Sequence, residues 1–327
     1  MNSEKTGSRK VGVVGAGLVG SSFAYALMIR ELASELVMVD IDARRAEGQV
    51  MDLSHGLSFG KPMRITAGGY PDLRDADVVV IAAGAGQKPG ETRLDLLARN
   101  AEIFSRIVPQ VVEHNPDGII LIATNPVDIL TYISLKESKL PPSKVIGSGT
   151  ILDTSRFRFL LGRYYEVDAR SVHAYIVGEH GDSELPLWSL ANIGGVRLQE
   201  FAPLKNKEYD QKAMDQIFFG VRDAAYEIIK RKEATYYAIG LGLVSIVEAI
   251  LGNHRTVLSV SALMTGQYGI SDICLSLPCV VGAHGIEEIL TLNISQEEER
   301  GFRASAEKLK STLGSLKIHK NEMQRPV

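Results

Sequence analysis

The sequence predicts an α/β protein, with a doubly wound parallel sheet in its first half and an α+β arrangement in its second. Two observations carry the first part. Short, almost wholly apolar runs alternate with helical patterns, as parallel strands do when both faces of their sheet are covered. A glycine-rich turn joins the first run to the first helical pattern. A third observation carries the second part: near residue 150 the alternation stops, and long helical segments and a pair of neighbouring apolar runs replace it. The expected units are 1–149 and 150–327, divided by a change of pattern and by no Gly/Ser spacer.

Taken in order, KVGVVG is a strand and the segment after Gly17 is helical. ELVMVD is a strand, and ARRAEGQVMDLSHG a helix. DVVVIAAG is the next strand, leading into the glycine-rich AGQKPGET and the long helix RLDLLARNAEIFSRIVPQVVEHN. GIILIAT is a strand and PVDILTYISLKES a helix. In the second half TILDTSRFRFLLGRYY is a helix and SVHAYIVG a strand. YDQKAMDQIFFGVRDAAYEIIKRK and ATYYAIGLGLVSIVEAIL are two long helices. RTVLSVSAL and DICLSLPCVVG are antiparallel strands about a turn at TGQYGIS. Ser295, with Glu298 three residues on, is a capping-box signature that starts the last helix. The polar tail KIHKNEMQRPV is expected to be exposed or frayed.

Composition narrows the function. The 327 residues, 45% of them hydrophobic, are enough for one large core or two fused ones. With 23% charged residues and a net charge of −3, nothing favours a polyanionic partner, so nucleic acid is not the expected ligand. MNSEKTGSRK has no apolar core of a secretory signal, and the most apolar late segment carries Glu248 and reads as a buried helix. No membrane partner is expected. Cys274 and Cys279 are an odd number of residues apart, which puts them on opposite faces of a strand and makes them poor disulfide partners. A reducing cytoplasm fits these features.

VVGAGLVGSSFAYAL places Gly15, Gly17 and Gly20 in G-x-G-x-x-G spacing between a strand and a helix. The first glycine permits the tight turn, the second lets backbone approach a pyrophosphate, and the third lets the helix pack closely. The helix N-terminus offers free N–H groups to the anion. Asp40 ends the second strand, twenty residues past Gly20. A carboxylate there accepts hydrogen bonds from a ribose diol and repels a 2′-phosphate, which favours NAD over NADP, although Arg44 and Arg45 lie close by. In YIVGEHGDSELP, His180 sits in a glycine-flanked loop after a strand, where a histidine can equally be an ordinary solvated residue. Asp153 and Arg156, three apart on one helix face, could equally be a surface ion pair.

Together, GAGLVG, GAGQKPGETRLDLLARN, TNPVD, GSGTILDTSRFR and VGEHGDSELPLWS resemble, in the same order, the motifs of the L-lactate/malate dehydrogenase family, and within it the NAD-dependent lactate dehydrogenases of bacteria. The resemblance runs from about Val11 to the last helix. It implies an NAD-binding Rossmann domain followed by a catalytic, substrate-binding domain, with no metal. It implies that His180 gives a proton to the substrate carbonyl as hydride arrives from NADH, and takes it back in reverse. Asp153 would hydrogen-bond that imidazole, fix its tautomer and raise its pKa. Arg156 would grip the substrate carboxylate through two parallel N–H···O bonds, a geometry Lys cannot copy. Arg93 would polarise the carbonyl. Asn125, before a candidate cis proline, would sit near the nicotinamide and substrate oxygen; Thr235 would line the pocket, and Val19 would join the cofactor contacts.

The segment holding Gln87 and Arg93 resembles the family's active-site lid. In the family an Arg at the Gln87 position pairs with the second carboxylate of oxaloacetate. A neutral Gln cannot, and closing over oxaloacetate would bury an uncompensated charge at a cost of several kcal/mol. Gln87 therefore favours pyruvate/L-lactate over malate, while the small Gly84, Ala85 and Gly86 leave room for bulkier 2-hydroxy acids. The resemblance also implies a homotetramer acting at the end of homolactic fermentation. Arg158 and His173 would bind fructose 1,6-bisphosphate across a subunit interface, relieving cationic repulsion and favouring the active assembly. A non-catalytic dinucleotide sensor is the contrasting reading, and the intact set His180, Asp153, Arg156 and Arg93 speaks against it. One departure is Glu233, where relatives usually carry Gly.

Overall fold

A computed structural model describes residues 9–86 and 90–323 of the chain; Gln87, expected to set the choice of substrate, lies outside the described residues. The first half comprises β1 (Lys10–Val14), α1 (Leu18–Ile29), β2 (Glu35–Val39), α2 (Ala43–His55), β3 (Arg64–Ala67), β4 (Val78–Ile81), α3 (Arg93–His114), β5 (Ile119–Ile122), α4 (Val127–Ser138) and β6 (Val145–Gly147). These strands pair in parallel in the order β3-β2-β1-β4-β5-β6. The order reverses between β1 and β4, and the crevice beyond their carboxyl ends is where such a sheet takes its ligand.

The uniformly apolar strands are explained by burial on both faces. In β4, Val78 and Val80 pack in one cluster with Phe23 of α1, while Val79 and Ile81 pack in another with Phe104 and Val108 of α3. All are fully buried, each side chain contributing about 1.5–3 kcal/mol. Caps fix where helices begin. Asp42 accepts the Arg45 N–H ahead of α2, and Thr92 and Asp95 cap α3 reciprocally.

The second half comprises α5 (Ile151–Tyr165), β7 (Val172–His173), β8 (Ile176–Val177), β9 (Leu185–Pro186), β10 (Asn192–Ile193), β11 (Val196–Arg197), α6 (Leu198–Leu204), α7 (Gln211–Arg222), α8 (Ala224–Lys232), α9 (Tyr237–Leu251), β12 (Thr256–Thr265), β13 (Ser271–Gly282), β14 (Gly285–Ile289) and α10 (Gln296–Met323). β12, β13 and β14 are antiparallel, and Ser261 of β12 pairs with Gly147 of β6. One nine-stranded sheet therefore runs through both halves of the described residues. The junction needs a residue without a side chain, since a Cβ at Gly147 would lie 2.8 Å from that of Ser261.

The expected capping box forms: the Ser295 N–H donates to Glu298 Oε2 at 2.8 Å, and the Glu298 N–H to Ser295 Oγ at 3.2 Å. Glu298 also accepts from Ser189, tying α10 to the chain after β9. Three expectations are modified. SVHAYIVG divides into β7 and β8, which belong to different small sheets. The helix expected through Ala224 is interrupted at Asp223, and α10 carries the tail on as helix to Met323.

The segment before α9 is shaped by Glu233. It ends α8 with φ 70° and ψ −24°, and the Ala234 N–H turns back to the Lys232 carbonyl at 2.9 Å. This left-handed backbone costs an L-residue about 1–2 kcal/mol and suits glycine. Glu233→Gly is expected to raise stability by about 1 kcal/mol after the entropy of the added glycine is set against the relieved strain. Urea unfolding of the two proteins measures it; an unchanged or lower midpoint would contradict the strain.

Candidate active site

The site is assembled at the β1/β4 switch point. Gly15 leaves β1 with φ +105°, and a Cβ on it would lie 2.5 Å from the backbone nitrogen of Ala83. A Cβ on Gly20 would lie 1.9 Å from the Gly15 carbonyl oxygen. The turn is thus held against the exit of β4 by contacts that only glycine allows. α1 starts after Gly17 without a side-chain cap, and a Cβ on Gly17 would meet no described atom within 4 Å, so its first N–H groups front open space. This cradle fits a pyrophosphate. Asp40 fastens it: Oδ2 accepts the Ala16 N–H at 2.7 Å and Oδ1 the Asp42 N–H at 2.9 Å. The remaining lone pairs of that carboxylate suit a ribose diol.

Beyond the turn lies a cavity of about 380 Å³ lined by Val19, Asn125, Arg156, His180 and Thr235, together with Gly84, Ala85 and Gly86. Residues more than two hundred positions apart in sequence thus converge on one space. Asn125 precedes Pro126 through a cis peptide, as its sequence suggested. Asn100 of α3 ties the rim, accepting the Ala85 N–H at 2.8 Å and donating to the Asn125 carbonyl at 3.3 Å. Arg99 pairs with Glu91 at 2.7 Å and donates to the Gly86 carbonyl at 2.8 Å.

The chemistry is concentrated on Asp153, on the first turn of α5 and only 3% exposed at its side chain. Its Oδ2 lies 2.6 Å from His180 Nδ1, and its Oδ1 accepts from Arg156 Nη1 at 2.7 Å. One carboxylate therefore holds a cationic clamp and an imidazole side by side, and the second ring nitrogen of His180 is left for the cavity. Burial alone would lower the His180 pKa, but the charge and hydrogen bond of Asp153, with Asp128 and Glu184 nearby, push it up to about 9. Burial raises Asp153, yet His180 and Arg156 outweigh it and hold the carboxyl below its ordinary value.

Asp128 is a site residue that the sequence did not single out. It is a buried acid on α4 that accepts the His180 backbone N–H at 2.7 Å and the Ser261 hydroxyl at 2.6 Å. Burial pushes its pKa up to about 6 against those two hydrogen bonds. The available signal was the charge in VDIL, amid an otherwise apolar turn.

Arg93 departs from the expected placement. It opens α3, is 77% exposed, and lies 3.4 Å from Asp182, outside the residues that line the cavity. Tyr226 of α8 donates to the other oxygen of Asp182 at 3.0 Å, so that carboxylate is a shared partner. Neither Arg158 nor His173 is among the residues lining the cavity. Arg158 Nε donates to the carbonyl of Ala174 at 3.0 Å and its guanidinium lies over the Tyr175 ring, while His173 is exposed on β7.

The fold and this cavity define a dinucleotide-binding protein with a histidine and an arginine held on one buried carboxylate. Comparison with known proteins places it further. Residues 9–147 match the lactate/malate dehydrogenase NAD binding domain, and residues 150–318 the lactate/malate dehydrogenase alpha/beta C-terminal domain. The chain is 51% identical over 318 residues to an L-lactate dehydrogenase of Acetivibrio thermocellus, covering 97% of this chain and 100% of that one. It is 52% identical over 305 residues to an L-lactate dehydrogenase of Priestia megaterium, covering 93% and 96%. Among solved structures, a lactate dehydrogenase from a Medee basin deep-sea metagenome library superposes with a TM-score of 0.92 at 46% identity, over 95% of this chain and 99% of that one. The minor L-lactate dehydrogenase of Enterococcus mundtii gives 0.91 at 45%, over 94% and 98%. The chain belongs to the lactate/malate dehydrogenase family, and its cofactor is NAD.

Proposed function

We propose that this protein is an L-lactate dehydrogenase that reduces pyruvate to L-lactate and runs the reaction in reverse. The observation that carries the reading is the Asp153 carboxylate shared between His180 and Arg156 on the cavity wall. Bound NADH supplies the hydride. Arg156, held by Asp153 through one nitrogen, presents its remaining donors to the pyruvate carboxylate. His180, protonated at neutral pH, gives its proton to the ketone oxygen, so one hydride and one proton convert pyruvate to lactate. Arg93 exchanges Asp182 for that oxygen as negative charge grows on it. Asn125 and Thr235 border the reacting carbons, and Gly15, Gly17, Val19, Gly20 and Asp40 hold the dinucleotide. Gln87 provides no countercharge for a second carboxylate, and the L-lactate dehydrogenases named above support the same substrate.

The protein acts in the cytoplasm at the end of glycolytic fermentation, as a homotetramer activated by fructose 1,6-bisphosphate at Arg158 and His173. NADH oxidation with pyruvate and with oxaloacetate, each with and without the bisphosphate, tests both parts. A strong pyruvate preference and a lower apparent KM for pyruvate with the bisphosphate are expected. Equal use of oxaloacetate would overturn the substrate reading, and no response at any substrate level or pH would overturn the activation.

A further inference from the structure

Glu184 is a buried acid that the reaction above does not use. It lies in the loop after His180, where its N–H closes a turn onto the Gly181 carbonyl at 3.1 Å. The residue is 6% exposed, and its Oε1 is buried with no hydrogen-bond partner among the described residues. A carboxyl oxygen of Glu184, one of Asp153 and a ring nitrogen of His180 all lie within 4.8 Å of one another. Glu184 is not among the residues lining the cavity. The 2.6 Å contact between that pair leaves no room for a metal ion between them.

We propose that Glu184 is a positioning residue for proton transfer: it carries a proton while the enzyme reduces pyruvate, and its ionisation is coupled to that of His180, each group favouring the charged form of the other. The inference rests on His180 being the proton donor. An ionised Glu184 would be an unpaired buried charge beside ionised Asp153, which the interior does not tolerate. The surrounding charges are few and placed on known elements. Asp153 and Arg156 face it from α5 and Arg222 from α7, while Asp128 of α4 acts on His180. In its own loop, Glu179 is paired with Lys308 of α10, and Asp182 with Arg93. Burial and the Asp153 charge hold Glu184 protonated up to about pH 9, against the attraction of His180, Arg156 and Arg222. Once Glu184 ionises, it adds its negative charge to those of Asp153 and Asp128 around the imidazole and makes His180 keep its proton longer. The neutral acid thus leaves the Asp153–Arg156 clamp undisturbed at working pH and extends the protonated range of His180 on the alkaline side.

Glu184→Gln copies the shape of the protonated acid and removes the titration. Ring signals of His180, assigned by their loss in His180→Asn, would be followed by NMR in both backgrounds, together with kcat/KM for pyruvate against pH. We expect the His180 midpoint and the alkaline fall of kcat/KM both to move about one unit to lower pH in Glu184→Gln. A purely structural role would change the height of the profile and leave the midpoint in place, and a shift below about 0.2 unit would overturn the coupling. The native enzyme offers an independent reading by infrared spectroscopy. A protonated-carboxyl band present at pH 7.5 and lost at high pH supports the proposal, and its absence overturns it. Retained pyruvate reduction in His180→Asn would instead overturn the donor assignment itself, which keeps the two failures apart.

Discussion

Asp153→Asn is expected to lower kcat/KM for pyruvate at pH 7.5 by about 10²–10³-fold, within the range that general acid catalysis contributes. The replacement keeps the shape and removes the charge that His180 Nδ1 and Arg156 Nη1 share. Burial, which lowers the His180 pKa, then acts with little opposition, and the imidazole is neutral at working pH. Part of the activity should therefore return below pH 6, where a weakened His180 regains its proton, and lactate oxidation should suffer less because it needs the neutral ring. Stability should follow the same charge. The folded His180 titrates near 9 against 6.5 for an ordinary histidine, so it adds stability that is fully present below pH 6.5 and is lost as pH rises through 9. The Tm of the native protein should fall across that interval, and the fall should be smaller in Asp153→Asn. A variant that loses activity equally at every pH would show that Asp153 shapes the site without tuning His180.

Gln87→Arg is expected to raise kcat/KM for oxaloacetate relative to pyruvate by about 10²–10³-fold. On the proposed reading the second carboxylate of oxaloacetate meets a neutral Gln87, and burying it unpaired costs several kcal/mol, each 1.4 kcal/mol being about tenfold. An Arg supplies a bidentate partner for that group and a surplus charge against pyruvate, so both arms of the preference move. Steady-state kinetics with the two 2-oxo acids decides it. If the ratio stays within threefold of the native value, another cation already meets the second carboxylate.

The parts of this protein that were readable in sequence are those set by local pattern. The phosphate turn follows from three glycines between a strand and a helix, and the Asp153–Arg156 contact from a spacing of three on one helix. Ser295 and Glu298 announced their own helix start. What sequence hid depends on contacts across long separations. Asp128 looks like any helix acid until Ser261, 133 residues away, buries and binds it. Glu184 stands in a polar loop sequence, and its burial near Asp153 and Arg156 of α5 and Arg222 of α7 shows only in the fold. β3 was unread because it is a half-exposed edge strand with no solid apolar run, and the continuity of the sheet rests on a single pairing, Ser261 with Gly147. Arg93 was assigned to the right element, but its contact with Asp182 and Tyr226 joins three segments that no motif connects.

The most direct test of the account is the pH dependence of kcat/KM for pyruvate reduction and for lactate oxidation by the native enzyme. If His180, held protonated by Asp153, supplies the proton, reduction should stay level through neutral pH and fall only as pH passes about 9, and oxidation should climb to the same break and then level off. A break near the pKa of an ordinary histidine, or one that differs between the two directions with no common midpoint, would contradict the account.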